Sequence, residues 1–427
     1  MARKRVSSDD SAAHLKREKP TGGDDDFSWT YDDRYHVYIG RYRTGAQPSS
    51  RIAAFDFDGT LSVPKSGKKF PRDGQDFQLL DPRLGKRLAD MTADRSFLIF
   101  TNQMGVGKHT TSQAVRERIS SILKLLGPIP CTVFASTVEN EYRKPRRGMF
   151  DLFLRDHNAG MEVDLTESVY VGDAAGRKKT ASRPKDHSDA DFLFSRNCGL
   201  NFMTPEQFLA GESIESAERA NEKSLPRPHD PKEWLSPLTF GWSAKSNLKI
   251  TDATMFEEEW AQISDLKCLV VVLVGIPGSG KSHFVQRFCS GWQIISRDKT
   301  GTMDKCEKEL VAATGQKGYR VVIDNTNFDL ESRKRWLSIV QRHSCTPVAV
   351  WMDVSVEQAL HNNSFRRLAA IRSGTESAQM VPTFVIRNQA NKLVAPCLEE
   401  GFEQVFRLNF LPHFDDESLL NLYKCYL

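Results

Sequence analysis

Seven apolar residues in a row, Cys268 to Val274, run into Gly275-Ile-Pro-Gly-Ser-Gly-Lys281-Ser282 and then into a segment of helical spacing, HFVQRFC. A run this short cannot span a membrane, which takes about 20 residues, but it reads as a strand buried on both faces. The glycine-rich loop places backbone N–H groups at the start of a helix, where orphan donors and the helix dipole favour anions. Strand, loop and helix in this order open a βαβ unit, which commits this half of the chain to a parallel sheet.

The same rhythm recurs elsewhere. Residues 52–58, 96–102, 131–136 and 168–173 read as buried strands, and 111–126 has helical spacing between the second and third. After the loop, strands are expected near 292–296, 319–324, 346–353 and 404–410, with 267–274 before it. Between the two series, Pro226, Pro228, Pro231 and Pro237 sit among charged residues without a sustained period. The expected fold is α/β: two tandem domains, each with a mainly parallel sheet. The expected boundaries are a disordered polar tail over 1–34, a first domain over 35–230, a linker over 231–262 and a second domain over 263–427. The 427 residues are enough for two such cores, and 27% charged with 39% hydrophobic residues is an ordinary globular composition. Eight dispersed cysteines without a Cys-x-x-Cys pair argue against a disulfide framework or zinc site. No secretory signal or membrane span is read, and a monomer is expected.

In a parallel sheet the residues just past the strand carboxyl ends face one crevice. In the first domain these are Asp56-Phe57-Asp58-Gly59-Thr60, Thr101-Asn102, Lys144-Pro145 and Gly172-Asp173. Asp56 and Asp58 point to the same side of an extended segment and, with Asp173, could bind one Mg²⁺ through oxygen. The Thr101 hydroxyl and Lys144 ammonium would neutralise a phosphoryl group. One carboxylate could attack phosphorus while the other manages the leaving-group proton. Asp189 and Asp191 follow by about one loop; Asp191 reads either as support for the metal site or as surface.

In the second domain, Gly275, Pro277, Gly278, Ser279 and Gly280 form the phosphate-cradling loop. Lys281 would reach the β- and γ-phosphates of ATP, and Ser282 would bind Mg²⁺. Asp298, at the end of QIISRD, is placed to accept a proton from an attacking hydroxyl. Asp324 and Asn327, in VVIDNTN, end at the same edge; Asp324 could serve the metal's water shell or orient a substrate-binding side chain. The helical HNNSFRRLAAIR carries Arg366, Arg367 and Arg372, of which Arg366 is expected to close over the triphosphate as a lid arginine.

The motifs FDFDGTL, FTNQMGVG, YRKP and VGDAAGR resemble the haloacid-dehalogenase superfamily of aspartate-nucleophile phosphatases. That resemblance implies Asp56 as nucleophile, Asp58 as general acid and base, Thr101 and Lys144 as phosphoryl ligands, and a Mg²⁺ shell of Asp56, Asp173 and the backbone carbonyl of Asp58. Joined to GxPGSGKS, RD, VVIDNTN and HNNSFR, the whole of 50–427 resembles the bifunctional polynucleotide kinase 3′-phosphatases of DNA end repair, in the eukaryotic order. The family reading implies removal of 3′-phosphates and ATP-dependent phosphorylation of 5′-hydroxyls at nicks, gaps and double-strand breaks, with RNA ends left open. Only about fifty residues precede the first expected strand, too few for the forkhead-associated domain of the animal enzymes, so recruitment through one is not expected.

Three basic groups at the catalytic edge, Lys65/Lys68/Lys69, Arg143/Lys144/Arg146/Arg147 and Arg177/Lys178/Lys179/Arg183/Lys185, are expected to grip a polyanion. Phe70 or Phe77 is expected to stack on an end base. The net charge of +4 keeps this basic surface local. Arg3-Lys4-Arg5 and Lys16-Arg17 read as a nuclear import signal or a generic solvated terminus, nuclear localisation is expected, and tail and linker are natural places for repair partners. The rival reading is a small-molecule kinase fused to a sugar- or nucleotide-phosphate phosphatase.

Overall fold

The computed structural model describes residues 15–17, 26–68, 71–73, 75–181, 183–235, 241–247, 249–250, 253–314, 319–375, 379–410, 412, 414 and 416–427. The chain divides into two compact units, one reaching Pro228 and one starting at His229.

The first unit begins with β1 (Leu15–Arg17), β2 (Phe27–Asp32) and β3 (Val37–Tyr42), then β4 (Ile52–Phe55) and a small hairpin of β5 (Ser62–Val63) and β6 (Gln78–Leu79). Helix α1 (Leu84–Met91), β7 (Ser96–Asn102), α2 (Ser112–Leu126), β8 (Cys131–Ser136), α3 (Gly148–Asp156), β9 (Val169–Val171), α4 (Ala190–Cys198) and β10 (Asn201–Met203) follow, then α5 (Pro205–Ala210) and α6 (Ile214–Ser224). The main sheet has the order β1-β2-β3-β8-β7-β4-β9-β10. From β8 to β10 the pairing is parallel; β1, β2 and β3 extend the edge antiparallel. The parallel strands are apolar without alternation because both faces are covered. Ala53, Phe55, Phe97 and Ile99 pack with Ile119 and Ile122 of α2 on one side. Ile52, Ala54, Leu98 and Phe100 pack with Phe150, Phe153 and Phe194 on the other.

The second unit contains β11 (Gly241–Ser243), β12 (Lys249–Ile250), α7 (Ala253–Ser264), β13 (Leu269–Val274), α8 (Lys281–Phe288), β14 (Gln293–Ile295), α9 (Arg297–Thr300), α10 (Met303–Thr314) and β15 (Arg320–Ile323). It continues with α11 (Leu330–Arg342), β16 (Thr346–Met352), α12 (Val356–Arg372), α13 (Thr383–Lys392), β17 (Gln404–Leu408) and α14 (Glu417–Tyr423). Its sheet has the order β12-β11-β17-β16-β13-β15-β14, parallel from β17 to β14. Leu269, Val271 and Leu273 face α7 and α8; Val270, Val272 and Val274 face α10 and α11.

Two boundary expectations are corrected. The tail over 1–34 contains β2, whose Phe27 and Asp32 are buried and which pairs along its whole length with β3. The linker over 231–262 contains β11, which pairs antiparallel with β17 inside the second sheet, and helix α7, whose Phe256 and Trp260 are core residues. Short peripheral strands of mixed polarity lack the apolar run that marks a central strand, which is why both segments read as unstructured. The Arg3-Lys4-Arg5 cluster, Lys69 and Phe70 lie outside the described residues.

Candidate active sites

The four strand ends of the first unit converge. Asp56 follows β4, Thr101 lies on β7, Lys144 follows β8, and Asp173 follows β9. Lys144 is the hub: its ammonium donates to Asp56 Oδ1 at 2.6 Å, Asp191 Oδ1 at 2.7 Å and the Tyr170 hydroxyl at 2.7 Å. The side chains of Lys144 and Asp191 are each 2% exposed. Asn102 clamps the backbone beneath, accepting from Lys144 N and donating to Lys144 O. Asp191 also accepts from Ala174 N at 3.0 Å and from the Tyr170 hydroxyl at 3.1 Å, so it belongs to this site and not to the surface. Asp189 is exposed and takes no part.

The electrostatics follow from burial. It pushes the Asp56 carboxyl well above the ordinary value against the pull of Lys144, with Asp191 and Asp173 adding to the rise. Asp173 is pushed up to about 7, by burial first and then by Asp191. Burial alone would depress the Lys144 ammonium, but Asp191 and Asp56 outweigh it and hold it above its usual value.

Three carboxylates with one ammonium leave an excess of negative charge. Oxygens of Asp56, Asp173 and Asp191 lie within 4.8 Å of one another, and Asp173 Oδ1 is buried without a hydrogen-bond partner. An all-oxygen donor set with an orphaned acceptor fits a hard divalent cation such as Mg²⁺. Gly59 makes room for the Asp173 carboxyl: at φ +83° it takes a conformation that favours glycine, and a Cβ there would stand 2.7 Å from that carboxyl.

The Asp58 side chain turns away from this cluster. It accepts from Gln103 Nε2 at 2.7 Å and from both terminal nitrogens of Arg118, while Gln103 Nε2 also reaches Thr101 Oγ1 at 2.9 Å. Gln103 and Arg118 were not legible as site residues. The one available signal was an arginine on the apolar face of α2, between Val115 and Ile119.

The arginines of the basic edge are paired from within. Arg177 and Arg183 both bind Asp186, Arg143 and Arg146 bind Glu139, and Arg147 binds Asp151. Lys65, Lys68, Lys178, Lys179 and Lys185 remain exposed. Phe77 is a core residue with Lys65 over its ring, which corrects its reading as a stacking platform.

In the second unit, Gly275–Ser282 joins β13 to α8 and opens on a cleft of about 940 Å³. The cleft is lined by Pro277, Gly278, Gly280, Lys281, Ser282, Asp298, Asp324 and Arg366, together with Arg297 and Arg335, which sequence reasoning missed. Gly280 has φ +96°, and a Cβ there would lie 2.2 Å from the Phe410 ring. The Lys281 ammonium donates to Gly275 O and Ile276 O, each at 2.9 Å, and burial depresses it to about 8. Ser282 Oγ donates to Asp324 Oδ2 at 2.9 Å, which puts Asp324 beside the hydroxyl expected to hold a metal. Ser279 Oγ is buried without a hydrogen-bond partner. Asn327 is a strut: its side chain donates to Leu273 O and accepts from Trp336. Arg366 contacts Asn363 and Gln379 O at the cleft, whereas Arg372 bonds Ser418 O and does not line it.

Comparison with known proteins agrees with this anatomy. Residues 51–209 match the model of the polynucleotide kinase 3 phosphatase family, and 270–396 match an AAA domain. The chain is 30% identical to a bifunctional polynucleotide phosphatase/kinase of Schizosaccharomyces pombe, over 93% of this chain and 88% of that one. It is also similar to a polynucleotide 3′-phosphatase of Saccharomyces cerevisiae, 28% identical over 38% of this chain and 87% of that one. A polynucleotide 3′-phosphatase of Arabidopsis thaliana is 34% identical over 40% of this chain and 25% of its own length. With a relative at this identity aligned through both units, the chain belongs to the family of bifunctional polynucleotide phosphatase/kinases.

Proposed function

We propose that the first unit removes 3′-phosphates from broken polynucleotide strands and that the second moves the γ-phosphate of ATP to 5′-hydroxyls, preparing ends for ligation. The observation that carries this is the Lys144 hub: one buried ammonium joining Asp56 and Asp191 at the strand ends, in a chain whose second unit ends β13 in a phosphate loop.

In the phosphatase reaction an Asp56 oxygen attacks phosphorus, the bond to the 3′-oxygen breaks, and Asp58 supplies the proton to the leaving alkoxide. A water then attacks the aspartyl phosphate and gives its proton to Asp58, releasing phosphate and regenerating Asp56. Thr101 and Lys144 hold the non-bridging oxygens. Mg²⁺ held by Asp56, Asp173 and the Asp58 carbonyl would neutralise charge on the phosphoryl group. In the kinase reaction the 5′-oxygen attacks the γ-phosphorus, Asp298 takes its proton, and ADP leaves; Lys281 and Arg366 stabilise the transferring group, with Ser282 and Asp324 on the metal side.

We further propose DNA nicks, gaps and double-strand breaks as substrates, a monomeric enzyme and a nuclear location. Support for the polyanion comes from the five exposed lysines at the phosphatase edge. Competition between DNA and RNA ends, sedimentation, and imaging of a fluorescent fusion test the three.

The central test is a nicked duplex bearing a 3′-phosphate and a 5′-hydroxyl, with Mg²⁺, with and without ATP. Loss of 3′-phosphate is expected to need Asp56 and not ATP, and gain of 5′-phosphate to need Lys281 and ATP. Turnover of mononucleotides or sugar phosphates with neither end changed would establish the small-molecule fusion instead.

A further inference from the structure

Helix α2 turns Val115, Ile119, Ile122, Leu123 and Leu126 into the core, and Arg118 lies buried on that same face. Burying a guanidinium in an apolar layer is costly unless its donors are matched, so its partner is informative. Nη1 donates to Asp58 Oδ1 at 2.5 Å and Nη2 to Asp58 Oδ2 at 3.2 Å, with Gln103 Oε1 3.4 Å from Nη2. The guanidinium carbon lies 5.2 Å from the Phe57 ring centroid. A two-pronged fork fixes both the position and the plane of a carboxylate, which a single ammonium does not.

Asp58 needs such a clamp. Its side chain is 44% exposed, against 8% for Arg118, and it sits just beyond a strand end. Gln103 closes the chain from Asp58 Oδ2 to Thr101 Oγ1, tying the carboxyl to the hydroxyl expected to hold the phosphoryl group. Oδ2 accepts twice and Oδ1 once, which leaves Oδ1 a lone pair for the travelling proton.

We propose that Arg118 is the positioning residue of the phosphatase general acid and base, holding Asp58 through a bidentate fork so that Oδ1 meets the leaving 3′-oxygen. This rests on the reading of Asp58 as the proton donor. Arg118 acts through Asp58, the carboxylate its fork holds.

The test uses the full chain with Mg²⁺ and two substrates. One is an oligonucleotide 3′-phosphate, whose alkoxide needs a proton to leave; the other is p-nitrophenyl phosphate, whose phenolate leaves without one. Arg118→Met is expected to lower the first-turnover rate on the oligonucleotide by about a hundredfold, with KM within about threefold, while the first-turnover burst of p-nitrophenolate, which precedes the water step that also uses Asp58, stays within about fivefold. Arg118→Lys, which keeps the charge and loses the fork, should recover only part of the loss. Asp58→Asn should give the same leaving-group signature, and adding Arg118→Met to it should cost nothing more. Arg118 variants whose first turnover slows equally on both substrates or on neither, or full rescue by lysine, would overturn the proposal while leaving Asp58 in its role. An Asp58→Asn variant without the signature would remove the role of Asp58 and the proposal with it.

Discussion

Replacing Lys144 by methionine should separate what the hub does for stability from what it does for chemistry. The side chain is 2% exposed and its ammonium makes three hydrogen bonds, two of them to carboxylates. Methionine fills the aliphatic volume but leaves the Asp56 and Asp191 carboxylates facing each other without a cation. Breaking a buried pair by deleting one partner costs about 3–5 kcal/mol. For a unit of this size each kcal/mol lowers the melting temperature by about 2–4 °C, so calorimetry with metal chelated should show a drop of about 6–20 °C. Adding Asp191→Asn removes one buried charge while its amide oxygen can still accept from Ala174 N. The double variant should regain at least about half of the lost stability by relieving that like-charge contact, yet remain inactive on 3′-phosphates. A single variant that melts within about 2 °C of wild type, or a double variant no more stable than the single, would refute the reasoning.

Other consequences concern the second unit. His361 is buried, bonds Tyr423 O through Nε2 at 2.9 Å, and is depressed to about 4 by burial. The unfolded chain therefore binds a proton that the folded one does not, and stability should fall as pH drops from about 6.5 to about 4, by up to about 3 kcal/mol. His361→Gln should flatten that arm of the denaturation-versus-pH curve. Arg333 is fully buried, with both prongs on Glu400 and further bonds to Asn327 O and Val394 O. Arg333→Met should cost about 3–5 kcal/mol in urea unfolding. Lys281→Ala should cut 5′-phosphorylation at least about a hundredfold and leave 3′-phosphate removal intact, measured on one nicked duplex.

The parts of the fold legible in the sequence were those under the strongest local constraint. Central strands such as Ser96–Asn102, with its apolar run Phe97–Phe100, and Leu269–Val274 are buried on both faces and so cannot avoid such runs. The strand-end residues Asp56, Thr101, Lys144 and Asp173 were readable because the sheet itself brings them together. Asp191 was only half readable: it reaches Lys144 from helix α4, and nothing in its own neighbourhood marks that contact. Arg118 was hidden because local sequence does not say what a buried arginine pairs with across sixty positions. The basic runs misled in the other direction. Arg177 and Arg183 look free in the sequence, but Asp186 folds back to hold both. Peripheral strands such as Val37–Tyr42 and Gly241–Ser243 owe their place in the sheet to partners far along the chain, which a local pattern cannot announce.

The antiparallel hairpin along β8 also bears on how the chain is made. Cys131–Ser136 is buried throughout, and without Val37–Tyr42 beside it this strand would present a row of open backbone groups, the geometry that recruits a neighbouring molecule. Because β2 and β3 precede β8 in the sequence, the ribosome delivers the cover before the strand it covers. A nascent chain that has reached Ser136 already carries the means to close its own sticky flank. The amino-terminal strands thus keep the fully buried β8 from being the open edge of the sheet.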